Sequence, residues 1–312
     1  MQPFSNAVKL SMYSDQTFLI PVPALFSFDE CLWFLNRNYD DCLHVIKEKT
    51  LYKAVKIGAE PVLFCIHEES SFLKVTILAG NASRENKDFL LNYIAEWFDM
   101  NRNIQPFYDL LETDGRLAYM TKTYKGFRLI GISNLFEAIC WCIVGQQINL
   151  SFAYKVKRRL VEYYGEKIHY GNESYYIFPD PEVLMNASVP DLKGMQFSER
   201  KALYVIGVAK AFHEGVLGKE IIRMLPDFDS KVKALVEHKG IGIWTANYAL
   251  MKSLHEPKAI PHGDIGLLQA LANNGIIQDR SENDKIDALF SRFSGWESYL
   301  AFYLWRSLTV RI

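Results

Sequence analysis

The sequence predicts an α+β fold, an N-terminal antiparallel sheet domain followed by an all-helical core. Three observations carry this. The first hundred residues hold short β-branched and aromatic runs punctuated by Asn, Asp, Gly, Pro and Ser. After Asn103 the apolar residues recur instead at three- and four-residue spacing. Strands first and helices afterwards is the order of an α+β chain with segregated domains. A division into 1–104 and 105–312 is expected.

Taken in order, FDECLWFLNRN reads as a helix. The strands CLHVIKE (42–48), LYKAVKIG (51–58), PVLFCIHEE (61–69) and SFLKVTILAG (71–80) follow, then a covering helix ENKDFLLNYIAEWFDM (85–100). Downstream, NLFEAICWCIVGQQI, SFAYKVKRRLVEYYG, SERKALYVIGVAKAFHEG, FDSKVKALVEH, WTANYALMKSLH, GLLQALANN and SGWESYLAFYLWRSL each show one apolar stripe. Short Gly, Pro or Asp/Ser breaks separate them. There is no internal repeat or low-complexity segment.

At 312 residues, 49% of them hydrophobic and 14% aromatic, the chain can bury two or three modest cores. Its 35 basic and 36 acidic residues give no basic footprint, so charge alone does not point to nucleic acid. The start, MQPFSNAVKLSMYSD, lacks the charged and apolar regions of a leader, and no stretch reaches membrane-spanning length. The five cysteines lack disulfide-like spacing, and none follows Cys142, so no cysteine-ligated cluster fits the C-terminal part. The expected setting is cytoplasmic and nucleoid-associated, or nuclear in a eukaryote, with no membrane partner.

LVEHKGIGIWTANYALMKSLH (235–255) is the most informative segment. One amphipathic helix ends near His238, a Gly-x-Gly turn follows, and a second helix opens at about Ile243, giving a helix-hairpin-helix over roughly 229–255. Gly240 and Gly242 permit positive φ and bare backbone. The N–H groups of the turn and of the new helix's first turn lack partners within that helix, and the helix dipole adds to their pull on a phosphate oxygen. Such contacts position a duplex without reading its sequence. The spacing alone is equally that of an ordinary helical corner.

Asp264 follows a Pro-His-Gly turn, twenty residues beyond Trp244, and stands just before another helix. KGIGIWTANYALM followed by AIPHGDIGLLQAL resembles the hairpin, loop and aspartate of the helix-hairpin-helix DNA glycosylase superfamily, above all its alkylation-repair branch, 3-methyladenine DNA glycosylase II. LFEAICWCIVGQQINLSFAYKVKRRLVEYYG (135–165) resembles the segment entering that family's DNA-binding core, and WESYLAFYLW (296–305) its closing helix. The likeness spans roughly 105 to 312. The N-terminal sheet matches only in type.

The resemblance implies base flipping in double-stranded DNA, which is expected to bend, and hydrolysis of the N-glycosidic bond of an alkylated purine by a monomer. Asp264 is the implied catalytic carboxylate. It would stabilise the cationic sugar and orient or deprotonate water. Its local alternative is a helix N-cap, and the two roles can coexist. Trp244 stands where lyase-competent relatives carry a Schiff-base lysine, which implies a monofunctional enzyme.

Trp244, Tyr248, Trp305 and Gln146 are the implied base pocket, with Gln147 the implied wedge that fills the vacated stack. Their alternatives are core packing for the three aromatics and a solvent-facing amide for Gln146. Lys239, Gly240, Ile241, Gly242 and Thr245 form the implied phosphate-binding hairpin. Its carbonyls are suited by resemblance to a monovalent cation. No other cofactor is expected, and His238 and His262 lack the company of a metal site. Lys155, Lys157, Arg158 and Arg159 are read as a solvated helix face in preference to a phosphate contact. Two rival readings stand beside this one, a glycosylase for oxidised or deaminated bases and a non-catalytic hairpin module.

Overall fold

The computed structural model describes residues 15–37 and 39–309. The N-terminal segment read above for a leader lies almost wholly outside these residues, as does Asn38 at the end of the first expected helix. No helix among them is long and apolar enough to cross a membrane.

Five antiparallel strands form the first sheet: β1 (Thr17–Pro21), β2 (Val45–Lys47), β3 (Thr50–Ile57), β4 (Glu60–Glu69) and β5 (Phe72–Ala79), in the order β1-β5-β4-β3-β2. Four match the expected runs. The edge strand β1 is an addition, because TFLIP is short and ends on a proline, which a sheet tolerates at its edge. Glu48 and Lys49 both take positive φ in the two-residue β2–β3 turn, a conformation usually filled by Asn-Gly, so no turn signal marks it in the sequence.

The helix Arg84–Trp97 packs on one face of this sheet, with Tyr93 edge-on to Phe64 at 6.3 Å. The other face is covered by a second sheet that the helical reading did not anticipate, the hairpin β6 (Lys167–Tyr170) and β7 (Glu173–Tyr176). Tyr175 packs with Ala54 and Leu63, and Lys56 pairs with Asp180 at 2.6 Å. Two covered faces explain why the strand sequence VLFCI is continuously apolar and buried instead of alternating.

The apolar core runs unbroken from the sheet into the helices. Arg306 of the last helix, Glu297–Ser307, is buried against Glu30 of the helix Phe28–Leu35 at 2.9 Å. Lys157 corrects the solvated-face reading of its cluster. It is buried between Asp41 at 3.4 Å and Glu137 at 3.3 Å, while Arg158 pairs with Asp40 and Glu162. Asp40, Asp41 and Glu137 come from outside this helix, so most of the cluster's partners are not visible in its local sequence. Lys155 stays exposed.

Candidate active site

The hairpin forms where expected. Phe228–Val236 leads through the turn to Ile243–Ala249, and the second helix continues as a π-helical segment, Leu250–Leu254. Gly240 has φ +92°, and a Cβ there would lie 2.5 Å from Cγ of Tyr204. The glycine is therefore required twice, by backbone conformation and by the ring beneath it. Gly242 instead has the extended conformation of an N-cap with φ −90°, and no side chain caps the helix, so its first N–H groups remain for an external acceptor.

Lys239 and Gly242 are exposed, whereas Ile241 is buried and anchors the turn. Thr245 is buried as well, at 2% exposure, so a contact from it to a phosphate would run through its backbone N–H. Gln146 donates from Nε2 to the Gly240 carbonyl at 3.0 Å. That bond braces the hairpin. Gln147 is exposed with φ +56°, at the tip of the turn after Leu135–Gly145.

Asp264 caps the helix Ile265–Asn273, its Oδ1 accepting from the Leu267 N–H at 2.8 Å. The same oxygen accepts from Trp305 Nε1 at 2.9 Å. Capping and a second fixing contact thus coexist on one oxygen, and neither bond engages Oδ2. Trp305 lies 6.1 Å from Tyr248, and Tyr248 stacks on Trp244 at 5.4 Å. All three aromatics are half-buried, so they form one wall reaching from Asp264 to the hairpin helix.

Several residues that hold this wall escaped the sequence reading. Trp141 donates from Nε1 to the Tyr248 hydroxyl at 3.2 Å and packs on Tyr154 at 4.5 Å. Burial, with Cys142 and Tyr154 nearby, pushes the Tyr248 hydroxyl above the usual phenol range, only partly opposed by the Trp141 bond, so Tyr248 stays a neutral phenol. Asn247 is buried. Its Nδ2 donates to the Ile243 carbonyl at 2.9 Å and its Oδ1 accepts from the Ile260 N–H at 3.1 Å. This ties the hairpin helix to the loop that carries Asp264. Ser298 holds the same loop through the Ala259 carbonyl at 3.0 Å. A polar Asn in the middle of an apolar helical run was the available signal.

Among the described residues no group of three or more His, Cys, Asp or Glu is placed to hold a metal ion. The chemistry present is a fixed carboxylate beside a half-buried aromatic wall and a turn that offers backbone N–H groups. Such a site can seat a planar base, support positive charge on the atoms attached to it, and grip a phosphate at a distance.

Comparison with known proteins agrees. Residues 140–294 match the model of the HhH-GPD superfamily base excision DNA repair protein, and residues 40–139 match that of the 8-oxoguanine DNA glycosylase N-terminal domain. The DNA-3-methyladenine glycosylase of Bacillus subtilis is 33% identical over 302 residues, covering 93% of this chain and 96% of that relative. The chain belongs to the HhH-GPD superfamily of base excision DNA repair proteins.

Among solved structures, the 3-methyladenine DNA glycosylase of Archaeoglobus fulgidus shares the fold with a TM-score of 0.79 at 23% identity, over 92% of this chain and 96% of that one. The 8-oxoguanine glycosylase/lyase of Clostridium acetobutylicum, solved with double-stranded DNA, does so with a TM-score of 0.73 at 18% identity, over 94% of each chain.

Proposed function

We propose that this protein is a monomeric, monofunctional DNA glycosylase that flips an alkylated purine of the 3-methyladenine type out of duplex DNA and hydrolyses its N-glycosidic bond. The observation that carries the reading is the double anchoring of Asp264 Oδ1 by Leu267 N–H and Trp305 Nε1, beside the Trp244–Tyr248–Trp305 wall.

Both anchors fix the carboxylate before substrate arrives, so Oδ2 meets the sugar without reorganising. As the bond between C1′ and the base breaks, its electron pair leaves with the base and C1′ becomes cationic. Oδ2 stabilises that charge, orients the water that adds to C1′ and takes up the proton the water loses. The aromatic wall holds the electron-poor base by stacking, worth about 1–3 kcal/mol per base. Gln147 fills the vacated stack, and the hairpin grips a backbone phosphate through Lys239 to Gly242. The His238 and Gly240 carbonyls, which accept from Ile241 N–H and Gln146, each keep a lone pair for a monovalent cation bracing the turn.

Strand-cleaving lyase chemistry needs an accessible amine where Trp244 stands. The next lysine along that helix, Lys252, is buried, its Nζ donating to the Ile130 carbonyl. The test is base release from duplexes each carrying one alkylated purine, run with and without borohydride. The wild type should release base and form no borohydride-trapped adduct. Asp264→Asn should release none while keeping its affinity for abasic DNA. Unchanged release by Asp264→Asn, or a strong trapped adduct, would overturn the reading.

A further inference from the structure

We propose that Arg37 is a specificity-determining residue of the base pocket, donating to the 6-keto oxygen of a flipped purine and favouring 6-keto over 6-amino bases. This rests on the glycosylase reading above.

Two chains of ring contacts run from Trp305 to Arg37. Along one, Tyr248 takes the Trp141 indole bond, Trp141 packs on Tyr154, and Tyr154 stacks on Tyr39 with ring centres 4.9 Å apart and planes within 7°. The Arg37 guanidinium carbon lies 5.5 Å from the Tyr39 ring centre. Along the other, Phe302 lies 6.4 Å from Trp305 and 4.8 Å from Phe34, and the Arg37 guanidinium sits 3.8 Å over Phe34. A cavity of about 80 Å³ is walled in part by Arg37, Phe34, Trp141, Tyr154 and Tyr248, together with Asp41, Glu137 and Lys157.

Arg37 is half-buried, and its Nε donates to the Phe34 carbonyl at 2.8 Å. Among the described residues its two terminal nitrogens have no acceptor and no carboxylate lies within ion-pair distance. The other arginines near this core are matched: Arg128 donates to the Leu25, Asp99 and Arg102 carbonyls, and Arg306 pairs with Glu30. A guanidinium carries five donors in a rigid fork. Stacking on Phe34 fixes its plane, which leaves an unmatched donor edge on the wall of that cavity.

The acceptor that fits such an edge is a purine keto oxygen, with N7 where N7 is free. A 6-amino group turns donors toward donors, and a buried donor left unmatched is penalised. Lys252, also on the cavity wall, donates from Nζ to the Ile130 carbonyl, and burial with Arg37 nearby holds it well below the usual lysine range.

The test compares bases matched in charge. Single-turnover release of 7-methylguanine (6-keto) and 3-methyladenine (6-amino), both cationic, and of neutral hypoxanthine (6-keto) is measured for the wild type, Arg37→Met and Arg37→Lys. Arg37→Met should lose roughly 10-fold or more on both 6-keto bases and leave release of 3-methyladenine unchanged or raised, since the unmatched donor is gone. Arg37→Lys should fall between, since a point charge lacks the fork. Parallel changes on all three bases, with or without a shift in melting temperature, would overturn the inference and leave the glycosylase reading standing. A wild type that releases no base from any duplex would overturn both.

Discussion

Trp305 Nε1 donates to Asp264 Oδ1 at 2.9 Å, across 41 residues of chain, onto the oxygen that already caps the helix Ile265–Asn273. The aromatic wall and the carboxylate are therefore one unit. A tryptophan that only filled the core would leave the carboxylate free to rotate about its cap.

Trp305→Phe keeps the ring stack and removes this bond. A hydrogen bond to a charged group is worth about 1.5–3 kcal/mol, so the single-turnover rate should fall roughly 10- to 100-fold. Lesion affinity should change little, because the stacking surface survives. An unaltered rate would mean that the Leu267 cap alone positions Asp264.

Asn247 links the hairpin helix to the loop 255–264. Asn247→Ala leaves the Ile260 N–H without its partner inside the protein, at a cost of about 1–3 kcal/mol. The melting temperature should drop by a few degrees. The rate should fall further than that loss of folded protein explains, while abasic-DNA affinity holds. Asn247→Asp, which keeps the acceptor for Ile260 N–H, should recover part of the rate; equal defects in both variants would remove Asn247 from any positioning role.

Gly240→Val places a β-branched side chain at φ +92° against Tyr204. The turn must move, and binding to damaged and undamaged duplexes should weaken together. Adding Tyr204→Ala relieves the clash but not the backbone strain of about 1–3 kcal/mol, so the double variant should recover only in part. Loss confined to damaged DNA would show that the turn reads the base.

Lys157 is buried between Asp41 and Glu137. Burial by itself would push the Asp41 carboxyl up, but Lys157, then His44 and the Leu43 N–H, hold it below the usual carboxylate range. Its stabilisation is present above the unfolded-state value of about 3.9 and is lost as pH falls through the depressed folded value. Lys157→Met leaves buried carboxylates without their cation, costing about 3–5 kcal/mol at neutral pH. Without Lys157, burial pushes the Asp41 carboxyl up and acidification neutralises it, so the gap in melting temperature should narrow toward pH 4. A gap independent of pH would mean that lost packing, not charge, explains the defect.

The sequence alone determined a good deal. Period-two runs followed by period-3.6 stripes decided the α+β class, since those periods report which face of each element meets apolar neighbours. Gly240, Trp244 and Asp264 at their spacing were enough to place the hairpin and the carboxylate. Hairpin and cap are local devices, closed by backbone within a few residues. The β6–β7 sheet was not legible, because its tyrosines look like part of a helical break until the sheet face they cover is present.

Whatever depends on contacts between distant segments was decided only by the tertiary structure. It buried Thr245, turned Gln146 onto the Gly240 carbonyl, and gave Lys157 two acids from elsewhere in the chain. It also brought Trp305 to Asp264 and set Arg37 over the Phe34 ring. Spacing along a chain fixes which side chains share one element's face. Which charges meet, and which donor is left without an acceptor, depends on how the elements pack.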